Sequence, residues 1–260
     1  MIAWFQSLTL GWTFAVVIGG FLAITVLLGL VVVRFVPQSM REQHNELAGF
    51  ILAVIGVIYA VLLAFVTIGV WERFEQAEAR TYDEASNLAI VYRDSGSFRS
   101  GSELRAALRL YAETVIKDEW PKMQDGERST RARLQLEAVD RDVRNLPVTN
   151  IGQQDVHGRM LDALDRALEL RDERLSMEAT GINPVMWVVL FIGALVTVTF
   201  TYLFGFKRTF MQQIMVGLLS VLIGLVLFLT IAMDYPFRGG IQVGPDAFEN
   251  ALYVFHVIGS

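Results

Sequence analysis

Four long runs without a charged side chain, at residues 1–33, 47–71, 179–206 and 209–233, set the pattern of this sequence. Crossing a hydrocarbon core about 30 Å thick takes roughly 20 apolar helical residues, so each run is long enough to span a membrane. Soluble helices of this length would interrupt such runs with a wet face. The first run is read as a retained helix and not a signal peptide. Residues 1–10 carry no Lys or Arg, the apolar stretch is too long, and no A-x-A-like site closes it.

The segment between runs two and three is polar and keeps a helical period. Trp71, Phe74, Ala77, Ala85, Leu88 and Tyr92 follow helical spacing with no turn signal before them, so span two is expected to continue about six turns past the membrane. Ser95-Gly96-Ser97-Phe98-Arg99-Ser100-Gly101 breaks that helix. The next helix puts Leu104, Leu108, Tyr111 and Val115 on one face and is expected to close at Pro121. A third runs over roughly 129–145, stopped by Pro147. The fourth opens at Asn150 with Gln153 in the capping-box position, buries Met160, Leu161, Leu164, Leu168 and Leu175, and ends at Gly181. Asn183-Pro184 then supplies an N-cap and a first-turn proline for span three. A linker containing Pro37, Arg41 and His44 joins spans one and two, and Gly205-Phe206-Lys207-Arg208-Thr209 reads as a tight hairpin between spans three and four. After Asp234 come turn residues (Pro236, Gly239, Gly240, Gly244, Pro245) and a short apolar stretch, 247–258.

The fold class expected is all-α: a polytopic membrane protein with four transmembrane helices and a helical soluble block inserted between helices two and three. The parts are spans one and two (1–71), the soluble domain continuous with helix two (72–183), the hairpin of spans three and four (184–233), and a tail packing on the soluble side (234–260).

Charge sharpens this division. Residues 72–178 hold 17 of the 22 basic and 22 of the 27 acidic residues, so the formal charge of −5 resides in that block. With no strongly basic face, nucleic acid is excluded as a partner. Zero cysteine removes disulfides and thiolate metal sites. His44, His157 and His256 are scattered, and there is no Gly-rich phosphate loop and no H-E-x-x-H. No catalytic or metal constellation follows, so neither an enzyme nor a cofactor is expected. Arg128, Arg131, Arg133, Arg141 and Arg144 alternate with Glu127, Glu137, Asp140 and Asp142, the pattern of a solvated mixed face. Pairs such as Asp162–Arg166 read as surface salt bridges. An even number of spans puts both termini and the block on one side. The basic residues divide between the short loops and the membrane ends of the block, so the positive-inside rule does not choose that side.

Within span two, Val57, Val61 and Phe65 share one stripe and Gly56, Ala60 and Ala64 the next. The first can line a narrow apolar pore or face lipid; the second lets helices approach closely. Glu72-Arg73 marks where the helix leaves the bilayer.

The stretch Gly56-Val57-Ile58-Tyr59-Ala60-Val61-Leu62-Leu63-Ala64-Phe65, followed by the membrane-exit step Trp71-Glu72-Arg73-Phe74 and by Ala77, resembles the second helix of bestrophin anion channels. The tail Asp234-Tyr235-Pro236-Phe237-Arg238-Gly239 resembles the acid-x-Pro-Phe-Gly motif after the last bestrophin helix, with Asp234, Pro236, Phe237 and Gly239 as the matching residues. Glu84-Ala85 and Glu119-Trp120-Pro121 are similar to steps in the bacterial bestrophin-like membrane family, as is the order of the parts. The resemblance implies a homo-oligomer, a pentamer in bestrophins, in a bacterial inner membrane with the soluble domain and both termini cytoplasmic. Its partners would be membrane lipid and small inorganic ions such as chloride. It further implies an axial pore with an apolar neck at Val57, Val61 and Phe65, a dewetting barrier favouring weakly hydrated anions. Two departures stand out. Only one of these three residues is aromatic, and the stretch Arg238-Gly239-Gly240-Ile241-Gln242-Val243 lacks the carboxylates of a calcium clasp. The alternative function is a non-conducting, membrane-anchored sensor or scaffold whose helical domain binds a partner. A coupled transporter is disfavoured, since no charged residue lies within the spans.

Overall fold

The structure is a computed structural model and describes residues 9–38, 45–204 and 209–259. Among these, every regular element is helical: α1 (Leu10–Phe35), α2 (Asn45–Asp94), α3 (Gly101–Thr114), α4 (Trp120–Gln124), α5 (Thr130–Arg144), α6 (Ile151–Ala179), α7 (Pro184–Tyr202), α8 (Thr209–Met233) and α9 (Asp246–Gly259). Four of them, α1, α2, α7 and α8, are long and apolar enough to cross a membrane. The hairpin residues 205–208, and Arg41 and His44 of the first linker, lie outside the described residues.

The chain divides into two compact units. One comprises Met1–Arg73, Ile182–Asp234 and Gly239–Ile241; the other comprises Phe74–Gly181, Tyr235–Arg238 and Gln242–Ser260. In the first, α1, the first half of α2, α7 and α8 bury Phe21, Tyr59, Leu63, Leu190, Val198 and Leu227 against one another. Helices in lipid gain nothing from hiding apolar surface, so they associate through small residues and hydroxyls. Both devices are present. Gly29 and Gly193 lie against the rings of Tyr202 and Tyr59, too close for a Cβ. Thr25 donates to the Ser220 hydroxyl at 3.0 Å, and the hydroxyls of Thr67 and Thr230 lie 3.0 Å apart.

The second unit is a water-type core. Ala85, Leu88 and Tyr92 from α2 pack with Leu104, Leu108 and Tyr111 from α3, Leu136 and Val139 from α5, Met160 and Leu164 from α6, and Phe248 and Phe255 from α9. Trp71 faces outward in contrast to Ala77 on the same predicted stripe. The helix starts follow the expected chemistry. Ser129 accepts the Ala132 N–H at 3.0 Å, Asn150 Oδ1 the Gln153 N–H at 2.8 Å, and Asn183 Oδ1 the Val185 N–H at 3.0 Å. The capping box is displaced by one residue, because Gln153 Oε1 reaches back to the Thr149 N–H at 3.0 Å.

Three expectations need correction. Pro121 does not close its helix. The chain forms a π turn over Val115–Glu119 and enters α4 with Pro121 in the first turn. There the widened π turn, in which the Trp120 N–H reaches back to Val115 O, admits the proline within a continuous helical run. Arg166 pairs with Glu169 at 2.5 Å in place of Asp162. A Cβ on Gly56 would meet nothing within 4 Å, and Ala60 and Ala64 are exposed, so among the described residues no helix of the same chain packs closely on this small-residue stripe.

Candidate functional site

Span two carries the first candidate. Tyr59, Leu63 and Val66 hold one face of α2 in the core of the membrane unit. The other face is open: Val57 is 64% exposed, Val61 50% and Phe65 71%. Over its most apolar stretch only 17% of α2 is buried, against 28%, 33% and 39% for α1, α7 and α8. The three predicted residues therefore share an outward stripe, with successive side chains about 6 Å apart along the axis. Of the exit motif, Trp71 and Glu72 are exposed, and Arg73 and Phe74 are half-buried.

Asp234, Pro236 and Phe237 of the tail motif are buried, and Gly239 is half-buried. Asp234 Oδ1 accepts the Ile182 N–H at 2.7 Å. Burial pushes its carboxyl upward, and the Ile182 bond and the Arg73 charge only partly offset this. In the second unit, Pro236 O accepts the Val243 N–H at 2.7 Å, and Phe237 is buried edge-on to Trp120, with ring centroids 5.9 Å apart. Arg238 pairs with Glu178 and lies over the Tyr235 ring. Gly239 has φ +82°, a conformation that strains other residues.

Glu84 and Glu119-Trp120, noted in the sequence as separate steps, meet around one side chain. Arg174 is fully buried and donates from Nε to Glu84 Oε2 at 2.7 Å, from Nη2 to Glu84 Oε1 at 3.1 Å, and from Nη2 to Glu119 Oε1 at 2.7 Å. Arg171 pairs with the other oxygen of Glu119, and Tyr111 donates its hydroxyl to Glu84 Oε1 at 3.3 Å. The Arg174 guanidinium lies 4.9 Å from the centre of the Trp120 ring and 5.6 Å from that of Phe248. Trp120 Nε1 in turn donates to Val243 O at 3.1 Å. Four buried ions thus compensate one another, which low-dielectric burial requires.

Their electrostatics are uneven. Burial lifts the Glu84 carboxyl above its usual value despite Arg174. Burial works on Glu119 too, but two guanidiniums, Arg174 and Arg171, outweigh it and hold that carboxyl low. Arg174 is pushed still higher than an ordinary arginine, since its two carboxylates overcome the cost of burial.

Sequence reasoning missed Arg171, Arg174, Tyr111 and Phe248 as parts of this cluster. A signal was present in α6. Arg171, Arg174 and Glu178 continue the three-and-four spacing of the buried stripe Met160, Leu164 and Ala167. Ions on an apolar stripe imply buried partners.

Known proteins share this outline. A Bestrophin-like domain matches residues 19–248. No curated protein matches the chain. Among solved structures, it is similar to a bacterial Bestrophin homolog from Klebsiella pneumoniae phased with zinc, at 13% identity and TM-score 0.70, covering 93% of this chain and 98% of that one. Two singly substituted forms of that protein give TM-scores of 0.69 and 0.71 at 13% and 12% identity, covering 92% and 94% of this chain and 98% and 99% of theirs. The family match spans most of the sequence, and the helical fold agrees: the chain belongs to the Bestrophin-like family.

Proposed function

We propose that this protein is an ion channel, anion-selective, whose pore lies between copies of the chain and is lined by α2. The observation that carries this reading is the open apolar face of α2, where Val57, Val61 and Phe65 are exposed on the least buried of the four spans. A single copy offers four spans without a charged side chain in their apolar runs, so a conduction path needs several copies around an axis; by family resemblance these are five. Rings of Val57, Val61 and Phe65 about one helical turn apart would form a dry constriction. Such a constriction penalises strongly hydrated ions most and so favours large, weakly hydrated anions. The exit residues Trp71, Glu72, Arg73 and Phe74 would mark the water boundary of that path. The tail residues Asp234, Pro236, Phe237 and Gly239 would fix the chain as it leaves span four. The same reading places the protein in a bacterial inner membrane, with lipid around it and the soluble domain and both termini in the cytoplasm.

The test is reconstitution in liposomes under a chloride gradient, with reversal potentials for wild type, Val61→Ala and Phe65→Ala. An anion-directed reversal potential, with conductance raised by either truncation, is expected. Absence of current, or current indifferent to both substitutions, removes the constriction from α2. The first of these outcomes favours the non-conducting scaffold.

A further inference from the structure

The open stripe of α2 does not end with its apolar residues. At about 100° per residue, Val57, Val61, Phe65, Ile68 and Glu72 fall within a sector of roughly 80° on one helix. All five are exposed, and all belong to the same compact unit. Glu72 lies about 10 Å beyond Phe65 along the axis and is the first charged side chain after the neutral run 47–71. Among the described residues its carboxylate makes no ion pair and no hydrogen bond.

Arg73 is the obvious counter-charge, but it is engaged elsewhere. One residue on, it is turned by about 100°; it is half-buried, and its charge bears on the buried Asp234. The charged pair at the membrane exit is thus split. The cation serves the interior of the unit, and the anion stays on the stripe of Val57, Val61 and Phe65. A residue that only marked the water boundary could sit at any angle around the helix. Rings of carboxylates sort ions by charge, whereas apolar rings sort them by hydration. We propose that Glu72 is the charge-selectivity residue of the path, a carboxylate ring at the mouth of the apolar neck that repels anions and concentrates cations. It acts so only if α2 lines the pore, as read above. Two opposed filters then stand in series. The neck favours weakly hydrated anions, and Glu72 thins the anions that reach it, so anion selectivity is partial and depends on salt. Exposed charge reaches about 10 Å at 0.1 M salt and about 3 Å at 1 M.

Reversal potentials of the full-length protein in liposomes under a KCl gradient, read as the anion-to-cation permeability ratio, test this. Glu72→Gln is expected to raise the ratio about 5-fold in dilute salt, and Glu72→Lys to raise it further. Glu72→Asp, which keeps the charge, should bring the ratio back close to wild type. With no substitution at all, the wild-type ratio should climb between about 0.1 M and about 1 M salt. A ratio that Glu72→Gln leaves unmoved or lowers overturns the role of Glu72 and leaves the pore standing. If that variant carries no current, a wild-type ratio independent of salt does the same. Absence of current in wild type removes the pore itself, and the role of Glu72 with it.

Discussion

Arg174 is the side chain on which the core of the helical unit turns. It neutralises Glu84 and Glu119 together and lies against Trp120 and Phe248. Its removal leaves two carboxylates in a dry core with only Arg171 between them. Arg174→Met is therefore expected to cost about 3–5 kcal/mol, read from denaturant unfolding in detergent. Neutralising the partners as well, with Glu84→Gln and Glu119→Gln, should recover much of that loss. A single variant as stable as wild type would refute the account.

The two acids also pull stability in opposite directions with pH. Glu84, raised by burial, contributes fully below the ordinary Glu value of about 4.3 and loses its contribution as pH rises through its folded value. Glu119, pressed upward by burial but held low by Arg174 and Arg171, contributes above about 4.3 and loses its contribution as pH falls through its own. Glu84→Gln should flatten the dependence of stability on pH above the ordinary Glu value of about 4.3; an unchanged slope would exclude Glu84 as its source. The sequence displayed the acids as motif members, but periodicity names no partner across a core. Arg174 was readable only as an oddity, an ion on a buried stripe.

Helices were the most readable elements. The unbroken period from span two through Tyr92 gives the 50-residue α2, and Ser129, Asn150 and Asn183 mark three helix starts. Pro121 misled because proline reads as a stop, whereas the π turn resets the phase and makes it a first-turn residue. The glycines show the same limit. A GxxxA-like stripe in a sequence does not say whether its neighbour belongs to the same subunit. Gly193 faces the Tyr59 ring too closely for a Cβ, while Gly56 faces open space. Gly193→Ala is thus expected to destabilise the membrane unit by about 1–3 kcal/mol, and Gly56→Ala to leave it unchanged, in thermal unfolding of detergent-solubilised protein. Equal effects would contradict this packing.

For the chain as a whole, segregation of charge was plain from the sequence: four neutral spans and one block holding most of the ions. The open side of α2 was not, because a stripe of Val57, Val61 and Phe65 reads alike whether it faces lipid, another helix or an axis. If copies assemble around that face, the mass in mild detergent should be a multiple of 29.2 kDa, the mass of one chain. A monomer would argue against any pore between subunits. A reporter fused after Ser260 should report the cytoplasmic side, and an external signal would reverse the proposed orientation.

The π turn has a genetic consequence. Each residue added to or removed from a helix rotates the rest of that helix by about 100°. Val115–Glu119 lies between the face that buries Leu108 and Tyr111 and the turn that delivers Glu119 to Arg174 and sets the Trp120 ring under the Arg174 guanidinium. The segment should therefore accept exchanges of its exposed side chains yet reject an added residue. In a library of point variants and single-codon insertions, Lys117 should tolerate replacement, whereas one codon added anywhere from 115 to 119 should abolish folded protein.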